Sequence, residues 1–352
     1  RSHPQEVAEN TVDCAHLGPV HHVTSTQVRS VEQDGERMRV VLELVASGYA
    51  IGMPEEINDV ELDVTLHGLG VIVSQTHVVT AGLRTRQRIH PTPIDRERIA
   101  IFALGNTLEM ADPAYTREID DIFWDAFVSD FARDFPIWET KAYLERPLLA
   151  AGDGPIGSYR RWARQFYAQP RTSAAAGATP VNEAVLSPTM LRVHRLLAHS
   201  RRVLEGLRGA RTPATTEEPE LLDPAASGRT PVTTAKRSSA ARFPSVDAYF
   251  ETLARRFDPD AAGELDAVFQ WRLSGDRTRE HFAQVRRGHI ATGLGVHAEP
   301  TVTIEMSADD YLSMINGELN GAFAFSTGRG RLRGPVRLAM RMQKLFPLER
   351  TL

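Results

Sequence analysis

Residues 13–21 read Asp-Cys-Ala-His-Leu-Gly-Pro-Val-His. An acid, a histidine three residues later and a second histidine five residues beyond that form a spacing that can hold one metal ion. Asp13 and His16 would share one face of a helix, whereas His16 and His21 would lie roughly 140° apart around it. The glycine and the proline between the two histidines are expected to break the helix. A bend at that point would turn His21 back toward His16.

Two imidazoles and a distant carboxylate form the facial triad of non-haem iron(II) proteins. The spacing alone leaves other interpretations open. Buried histidines whose hydrogen bonds are all made within the protein, or histidines on the surface, would give the same pattern. His22 could also replace His21 as the ligand. A zinc site at His16 and His21 is a weaker alternative, because the pattern lacks the further cysteine and histidine ligands of common zinc sites.

Length and composition restrict the class of protein. A chain of 352 residues should form two domains with cores of their own. A hydrophobic content of 42% and a net charge of −4 give no reason to expect nucleic acid as a partner. The single cysteine, Cys14, excludes an internal disulfide and a Rieske cluster, which needs two cysteines. Neither a membrane-spanning run nor a signal peptide is evident, so a cytoplasmic protein is expected.

The sequence around the two histidines carries a family resemblance. Residues 9–16, Glu-Asn-Thr-Val-Asp-Cys-Ala-His, followed by His21, resemble the iron-site helix of Rieske-type oxygenases. The steroid-acting branch is the most similar, namely the 3-ketosteroid 9α-hydroxylase oxygenase components and the cholesterol 7-desaturases. Further matching stretches lie more than a hundred residues downstream, at residues 134–141, 146–149, 153–156 and 159–167. The resemblance covers roughly residues 1–168.

The resemblance implies a ligand set for iron(II). His16, His21 and Asp134 would hold the ion. Asp125 and Asp130 precede Asp134 in the same helical stretch, and Asp134 is preferred because the residues that follow it match the family.

The resemblance also implies roles beyond the ligands. Asp13 resembles the acid that bridges the iron and a Rieske 2Fe–2S centre, and its carboxylate is expected to hydrogen-bond to His16 and orient that ring. Asn10 is expected near the iron as a polar neighbour. Electrons would come from NAD(P)H through a ferredoxin or flavin reductase, and the full-length protein would be a homotrimer. Because the chain begins at Arg1 inside an apparent domain, we expect a missing N-terminal Rieske domain.

Hydrophobic patterning predicts an α+β fold for this part of the chain. A helix is expected over residues 1–22, and a strand pair flanks Asp34-Gly35, a strong hairpin signal. Apolar positions with helical spacing predict a second helix over residues 115–134. The resemblance implies an antiparallel sheet that grips a helix, with the iron beside it. Further strands are expected at residues 62–74, 77–84 and 99–104.

Residues 169–242 differ in composition and read as a flexible linker. One amphipathic helix is expected near residues 189–207, and the segment carries a net charge of about +5. Docking of that helix on one of the chain's own domains is the favoured interpretation. The alternative is peripheral contact with an anionic membrane or with a partner.

Residues 243–352 are predicted to form a second α+β domain. Strands are expected around residues 269–273 and 302–306, followed by a helix with Ser307 as N-cap. Phe323 and Phe325 are expected in a further strand, and Gly334-Pro335 should begin a last helix. The order of elements and the stretches 309–312, 316–319, 322–325 and 330–334 resemble the sterol-carrier-protein domain of lipid-transfer proteins.

This second resemblance implies an apolar tunnel for a sterol or a fatty acyl chain. The same side chains could instead fill an ordinary core. The expected lining consists of aromatic and large apolar residues: Phe269, Trp271, Ile304, Met306, Tyr311, Ile315, Phe323 and Phe325.

The sequence therefore predicts an iron-dependent oxygenase or desaturase that acts on a steroid or sterol. A tethered sterol-binding domain would raise the local concentration of a poorly soluble substrate. The alternative is a sterol- or lipid-binding or transfer protein with a vestigial oxygenase domain.

Overall fold

The structure is a computed structural model that describes residues 2–142, 144, 146–150, 152–167, 242–276 and 278–348. The helix expected near residues 189–207 lies outside the described residues. We call residues 2–167 the N-terminal region and residues 242–348 the C-terminal region. Each combines helices with a sheet, which confirms the α+β fold class. Among the described helices, none has both the length and the apolar character needed to cross a bilayer.

The sheet of the N-terminal region is an antiparallel meander, with strands in chain order. Its strands are β1 (Val23–Asp34), β2 (Arg37–Gly48), β3 (Met53–His67), β4 (Val71–Val78), β5 (Leu83–Pro93) and β6 (Ile99–Thr107). Asp34 pairs with Arg37 across the first turn, where Gly35 has a φ of +53°. The predicted hairpin is therefore confirmed, and glycine adopts this φ at little cost.

Two of the expected strands had the wrong limits. The stretch 62–74 contains the turn between β3 and β4, and the stretch 77–84 contains the short 3-10 turn Val79–Ala81 between β4 and β5. Apolar residues on both sides of these turns continued the strand pattern, so periodicity did not reveal the breaks.

The helices of the N-terminal region lie at its two ends. They are α1 (Pro4–Asn10), α2 (Leu17–His21), α3 (Pro113–Phe131), α4 (Phe135–Thr140) and α5 (Ile156–Ala163). Asp112 caps α3 by accepting hydrogen bonds from the backbone N–H groups of Ala114 and Tyr115. A 3-10 turn, Ala132–Asp134, separates α3 from α4. The predicted helix at 115–134 thus ends one turn early.

The single helix expected over residues 1–22 is wrong. The chain forms α1, a turn and then the one-turn helix α2, which contains both Gly18 and Pro19. Pro19 is tolerated because the first N–H groups of a helix have no intrahelical acceptor. The break therefore lies before His16 and not after it.

The C-terminal region has a five-stranded sheet in the order β11-β10-β7-β8-β9, in which only β10 and β7 run parallel. Its strands are β7 (Asp266–Ser274), β8 (Arg279–Arg286), β9 (His289–Leu294), β10 (Val302–Ser307) and β11 (Gly330–Arg333). Its helices are α6 (Val246–Arg256), α7 (Pro259–Ala262), α8 (Ala308–Ile315), α9 (Gly321–Ser326), α10 (Val336–Met340) and α11 (Met342–Leu345).

Three expectations for this region can be compared with the structure. Ser307 caps α8 as predicted, because its side chain accepts from the backbone N–H of Asp310. The strand expected at Phe323 and Phe325 is wrong, since both residues lie in α9, which Asn320 caps. The last helix is divided into α10 and α11.

The two regions share part of one hydrophobic core. Tyr115 and Ile122 of α3 are buried in the cluster that contains the core of the C-terminal region. The backbone N–H of Val336 donates to Glu118 on α3 at 2.7 Å, and Ser326 Oγ donates to the carbonyl of Ala81 at 2.8 Å. Helix α3 therefore contacts both halves of the described chain, and it leads directly to the 3-10 turn that contains Asp134.

Candidate metal centre

Two histidines meet at the ends of helix α2. His16 is its N-cap residue and His21 its last residue. Their ring centroids lie 5.1 Å apart, and the ring planes are nearly perpendicular at 86°. The bend predicted between them at Gly18 and Pro19 is wrong, because both of these residues lie inside α2. The one-turn helix itself places the two rings close together.

Asp134 lies against this pair. It follows α3 in the 3-10 turn and is only 1% exposed. The candidate ligand atoms of His16, His21 and Asp134 all lie within 4.8 Å of one another. Asp134 Oδ1 lies 3.4 Å from His21 Nε2 and has no hydrogen-bond partner among the described residues. A buried carboxylate oxygen without a partner is costly, and a cation between these three side chains would satisfy it.

The hydrogen bonds of the two rings fix which nitrogen faces the site. His16 Nδ1 lies 2.5 Å from the backbone carbonyl oxygen of Asp13. His21 Nδ1 lies 3.0 Å from Asp130 Oδ2. Both partners accept hydrogen bonds, so in the neutral rings Nδ1 carries the proton and Nε2 carries the free lone pair. Neutral imidazole with a free Nε2 is the form that binds a metal ion.

The electrostatics of His21 are those of a site that attracts a cation. Burial opposes the charged form of the ring. The hydrogen bond to Asp130 and the carboxylate of Asp134 outweigh this effect and raise the pKa of His21 to about 9. Without a metal, these carboxylates therefore favour a second proton on His21, and a metal ion that binds Nε2 would replace that proton.

Asp13 adopts a different role from the one expected of its carboxylate. Its Oδ1 accepts from the backbone N–H groups of Ala15 at 3.2 Å and His16 at 3.4 Å, and it lies 3.9 Å from His16 Nδ1. The ring is instead held by the backbone carbonyl of Asp13. Burial opposes ionisation of the carboxyl, but hydrogen bonds and charge attraction from His16 outweigh it, so its pKa is lowered.

The alternative ligands lie elsewhere. His22 has a left-handed backbone conformation, with a φ of 56°, and its ring stacks on Tyr49 at 4.0 Å. Asp125 forms an ion pair with Arg337 of the C-terminal region. Asp130 contacts Nδ1 of His21 and so lies on the other side of that ring. Asn10, expected as a polar neighbour of the iron and not as a ligand, ends α1 and is half-buried, and its place near the ion stays a prediction.

A buried ionic cluster anchors the segment before the histidines. Glu9 is 3% exposed and accepts from Arg160 Nε at 2.6 Å and from Lys141 Nζ at 3.2 Å. This cluster was not expected from the sequence, although Glu9 and Arg160 both lie within the matching stretches. The cluster joins α1 to α5 through Arg160 and to the end of α4 through Lys141. It therefore links the first helix of the N-terminal region to the last two.

A glycine supports the turn that leads to His16. Gly154 has a φ of +80°, and a Cβ there would lie 2.4 Å from the carbonyl oxygen of Val12 and 2.7 Å from Cys14 Sγ. The backbone N–H of Cys14 donates to the carbonyl of Asp153 at 3.2 Å. The loop around Gly154 therefore packs directly on the turn before His16, which requires a residue without a side chain.

Aromatic side chains flank Asp134 on the helices either side of it. Consecutive rings of this set lie 5.3–5.8 Å apart. We call the set the aromatic row: Trp124, Phe127, Phe131, Phe135 and Trp138. Trp138 belongs to the hydrophobic core of the N-terminal region, and Phe127 and Phe131 pack against that core.

The donor set fits an iron(II) ion. It consists of two imidazole nitrogens and one carboxylate, which is the composition of the facial triad. The unpartnered oxygen of Asp134 and the mutual distances of at most 4.8 Å between the candidate ligand atoms support the same assignment.

Comparison with known proteins agrees with the two resemblances. Residues 1–167 match the model of the 3-ketosteroid 9alpha-hydroxylase C-terminal domain, and residues 250–347 match that of the SCP-2 sterol transfer family. Both predicted family resemblances are confirmed.

Individual relatives show how far the similarity extends. The oxygenase component of 3-ketosteroid-9-alpha-monooxygenase from Rhodococcus rhodochrous is 26% identical over 183 residues, which are 47% of this chain and 46% of that protein. Cholesterol 7-desaturase from Hemicentrotus pulcherrimus is 25% identical over 188 residues, 48% of this chain and 39% of that protein. The chain spans about half the length of the oxygenase components it matches.

A solved structure resembles the C-terminal region. Sterol carrier protein 2 like 2 from Aedes aegypti is 22% identical and covers 28% of this chain and 94% of its own, with a TM-score of 0.25.

The residues expected to line a lipid tunnel lie in the core of the C-terminal region. Phe269 and Trp271 are completely buried, and Ile304, Met306, Tyr311 and Ile315 are at most 8% exposed. Phe323 and Phe325 pack against the same cluster from α9. Their contacts are those of a core, and their role in holding a lipid remains a prediction.

Proposed function

We propose that residues 1–168 form the catalytic domain of an iron-dependent oxygenase or desaturase that acts on a steroid or sterol. The observation that supports this most strongly is the convergence of His16, His21 and Asp134, with a buried carboxylate oxygen that lacks a partner. The family match of residues 1–167 points to the same chemistry.

The chain's own residues would bind and orient the ion. His16 and His21 would offer Nε2, because Nδ1 of each ring is held by an acceptor. Asp134 would offer its unpartnered oxygen and neutralise part of the ion's charge. A bound iron(II) would supply the capacity to activate dioxygen once electrons arrive.

The surroundings support an apolar substrate. The aromatic row lies on the helices that precede and follow Asp134 along the chain, and rings of this kind bury flat hydrocarbon surface and exclude water. We propose that residues 243–352 form a sterol-carrier domain and that residues 169–242 connect the two domains. Because the C-terminal region packs on α3, it would present a ligand from a fixed position on the catalytic domain and would not act as a free tether.

The electrons would come from outside the described site. A Rieske 2Fe–2S centre needs two cysteines, and the sequence contains only Cys14. We propose that a separate region or chain supplies this centre, reduced from NAD(P)H through a ferredoxin or flavin reductase. Asp13 lies in the turn before α2 and is the candidate contact with that centre. The full-length protein would be a homotrimer.

Metal binding by single-residue variants tests the proposal. The metal-free protein would be titrated with iron(II) under anaerobic conditions and its iron content measured after gel filtration. We expect His16→Ala, His21→Ala and Asp134→Ala to lose stoichiometric iron, each by removing one ligand. His22→Ala is the matched control and should retain it, because His22 stacks on Tyr49. Full iron retention by Asp134→Ala would remove this residue from the ligand set and overturn the proposal.

A second candidate function is sterol or lipid binding without catalysis, with a vestigial oxygenase domain. The match of residues 250–347 to the SCP-2 sterol transfer family favours it. Purified protein that binds a fluorescent sterol but takes up no iron, whether or not Asp134 is replaced, would support this second function over the first.

A further inference from the structure

The two histidines of the centre are oriented by different kinds of acceptor. His16 Nδ1 contacts a backbone carbonyl of its own turn, so local geometry fixes that ring. His21 Nδ1 contacts the side chain of Asp130, 109 residues away along the chain. The orientation of His21 therefore depends on a tertiary contact between α2 and the last turn of α3.

We propose that Asp130 is a positioning residue that fixes His21 for metal binding, an inference that rests on the proposed iron site. By accepting the Nδ1–H of His21, its carboxylate selects the tautomer in which Nε2 is free and faces Asp134. A carboxylate at Nδ1 also makes the imidazole a stronger donor through Nε2. Asp130 and Asp134 thus contact the two nitrogens of one ring from opposite sides.

Arg133 contacts both Asp130 and the backbone next to His21. Its Nε lies 3.6 Å from Asp130 Oδ1, and its Nη1 donates to the carbonyl oxygen of Val20 at 3.0 Å. Val20 directly precedes His21, so one guanidinium joins the carboxylate that orients the ring to the backbone that carries it. The guanidinium also lies over the ring of Tyr49, at 5.0 Å from its centroid. These contacts limit the positions that Asp130 can adopt.

Asp130 is poorly placed to be a ligand itself. The two nitrogens of an imidazole point in divergent directions, so a group bonded to Nδ1 lies away from an ion bound at Nε2. To reach that ion, the carboxylate would have to release His21. Its far side faces a surface cleft of about 420 Å³, lined by residues that include Tyr49, Ser129 and Arg133.

Cobalt(II) binding to the full chain tests the inference. The metal-free forms of the wild type, Asp130→Ala and Asp130→Asn would be titrated with cobalt(II). We expect Asp130→Ala to weaken binding by about 10–100-fold, the effect typical of a residue that orients a metal-binding histidine. Asp130→Asn should retain more affinity, since its amide oxygen still accepts the Nδ1–H. Asp125→Ala is the matched control on the same helix and should bind as the wild type does.

A spectroscopic measurement separates positioning from general destabilisation. In the cobalt(II) protein, the Nδ1–H protons of metal-bound histidines give strongly shifted NMR signals that exchange with water. We expect the His21 signal to exchange faster in Asp130→Ala and the His16 signal to be unchanged. Equal broadening or loss of both signals would contradict a specific effect on His21 and overturn the inference.

The outcomes distinguish this inference from the proposed function. If Asp130→Ala binds cobalt(II) as tightly as the wild type while Asp134→Ala does not, the positioning role is wrong and the metal site stands. If Asp130→Ala and Asp130→Asn both fall as far as Asp134→Ala, Asp130 is a direct ligand and the positioning role is again wrong. If Asp134→Ala binds as the wild type does, the metal site itself is wrong.

Discussion

The two regions satisfy their buried charged groups differently. In the C-terminal region, Arg256 is 3% exposed and its guanidinium donates to Thr252 Oγ1 and to the carbonyls of Phe346, Pro347 and Tyr249. In the N-terminal region, Asp134 is 1% exposed, yet one of its oxygens has no hydrogen-bond partner among the described residues. A buried charge with its full set of partners maintains a fold, whereas the incomplete set at Asp134, beside two imidazoles within ligand distance, is one that a cation would complete.

The C-terminal region also contains a buried polar group without a hydrogen-bond partner. Trp271 is completely buried, and its Nε1–H has no hydrogen-bond partner among the described residues. An indole N–H is neutral, so leaving it unpaired costs much less than leaving a carboxylate unpaired. Trp271 is also one of the residues expected to line a lipid tunnel. The loss of stability when it is replaced would show whether its side chain fills a core or borders a cavity.

The largest effect is expected from Trp271→Ala. Removing a fully buried indole should lower the free energy of unfolding by about 3–5 kcal/mol, measured by urea denaturation, with cobalt(II) affinity unchanged. Trp271→Phe is the matched control and should lose much less, because it removes an unpartnered N–H and keeps most of the ring. A loss below about 1 kcal/mol for the alanine variant would indicate that the side chain already borders open space, as the lipid-tunnel prediction requires.

The next effect concerns the core that the regions share. Ile122→Ala on α3 should lower the free energy of unfolding by about 2–4 kcal/mol, because Ile122 is buried against the C-terminal region. Fluorescence of the tryptophans in both regions should still report one transition at a lower urea concentration. Two separate transitions, with only the C-terminal one shifted, would show that the regions unfold independently.

A smaller effect is the pH dependence of the metal-free protein. The folded pKa of His21, about 9, lies above its ordinary value of 6.5. The stability it contributes is therefore complete below pH 6.5 and is lost as the pH rises through 9, with a total of at most about 3 kcal/mol. Urea denaturation at pH 6 and at pH 9.5 measures this difference. His21→Gln should reduce the difference, and an unchanged difference in that variant would assign it to other groups.

The smallest effect is expected at the exposed pair between the regions. The side chains of Arg337 and Asp125 are 59% and 72% exposed. Solvent and salt screen such a pair, so Arg337→Ala should change the free energy of unfolding by less than about 0.5 kcal/mol. A loss comparable to that of Ile122→Ala would mean that charge, and not the buried apolar contact, holds the regions together.

Local sequence signals were sufficient where one short segment determines the outcome. The Asp34-Gly35 hairpin and the Ser307 cap are confirmed because a turn and a cap depend on only a few neighbouring residues. The strand expected at Phe323 and Phe325 was wrong. The alternation of apolar and small residues there fits a strand, but the Asn320 cap and packing against the shared core favour a helix.

In the candidate site, too, the sequence revealed some features and tertiary packing determined the others. Two histidines and an acid could be selected from the sequence because the residue types have metal-binding chemistry and the flanking stretches resemble a family. The contact of Asp130 with His21 could not be predicted, because it depends on how α2 packs against α3. The position of the bend before His16 could not be predicted either, because the distant loop around Gly154 packs on that turn. Arg133 follows Asp130 by three residues on that segment, a spacing that permits an ion pair, but its bond to Val20 required the fold.

The sequence by itself determined the two family resemblances, the α+β class and the residues able to bind a metal, because these depend on residue type, order and short-range periodicity. The tertiary structure decided which nitrogen of each histidine is free, which carboxylate lacks a partner and how α3 contacts both regions. Except for the local contact that orients His16, these properties depend on distances between residues far apart along the chain, and such distances exist only once the chain has packed.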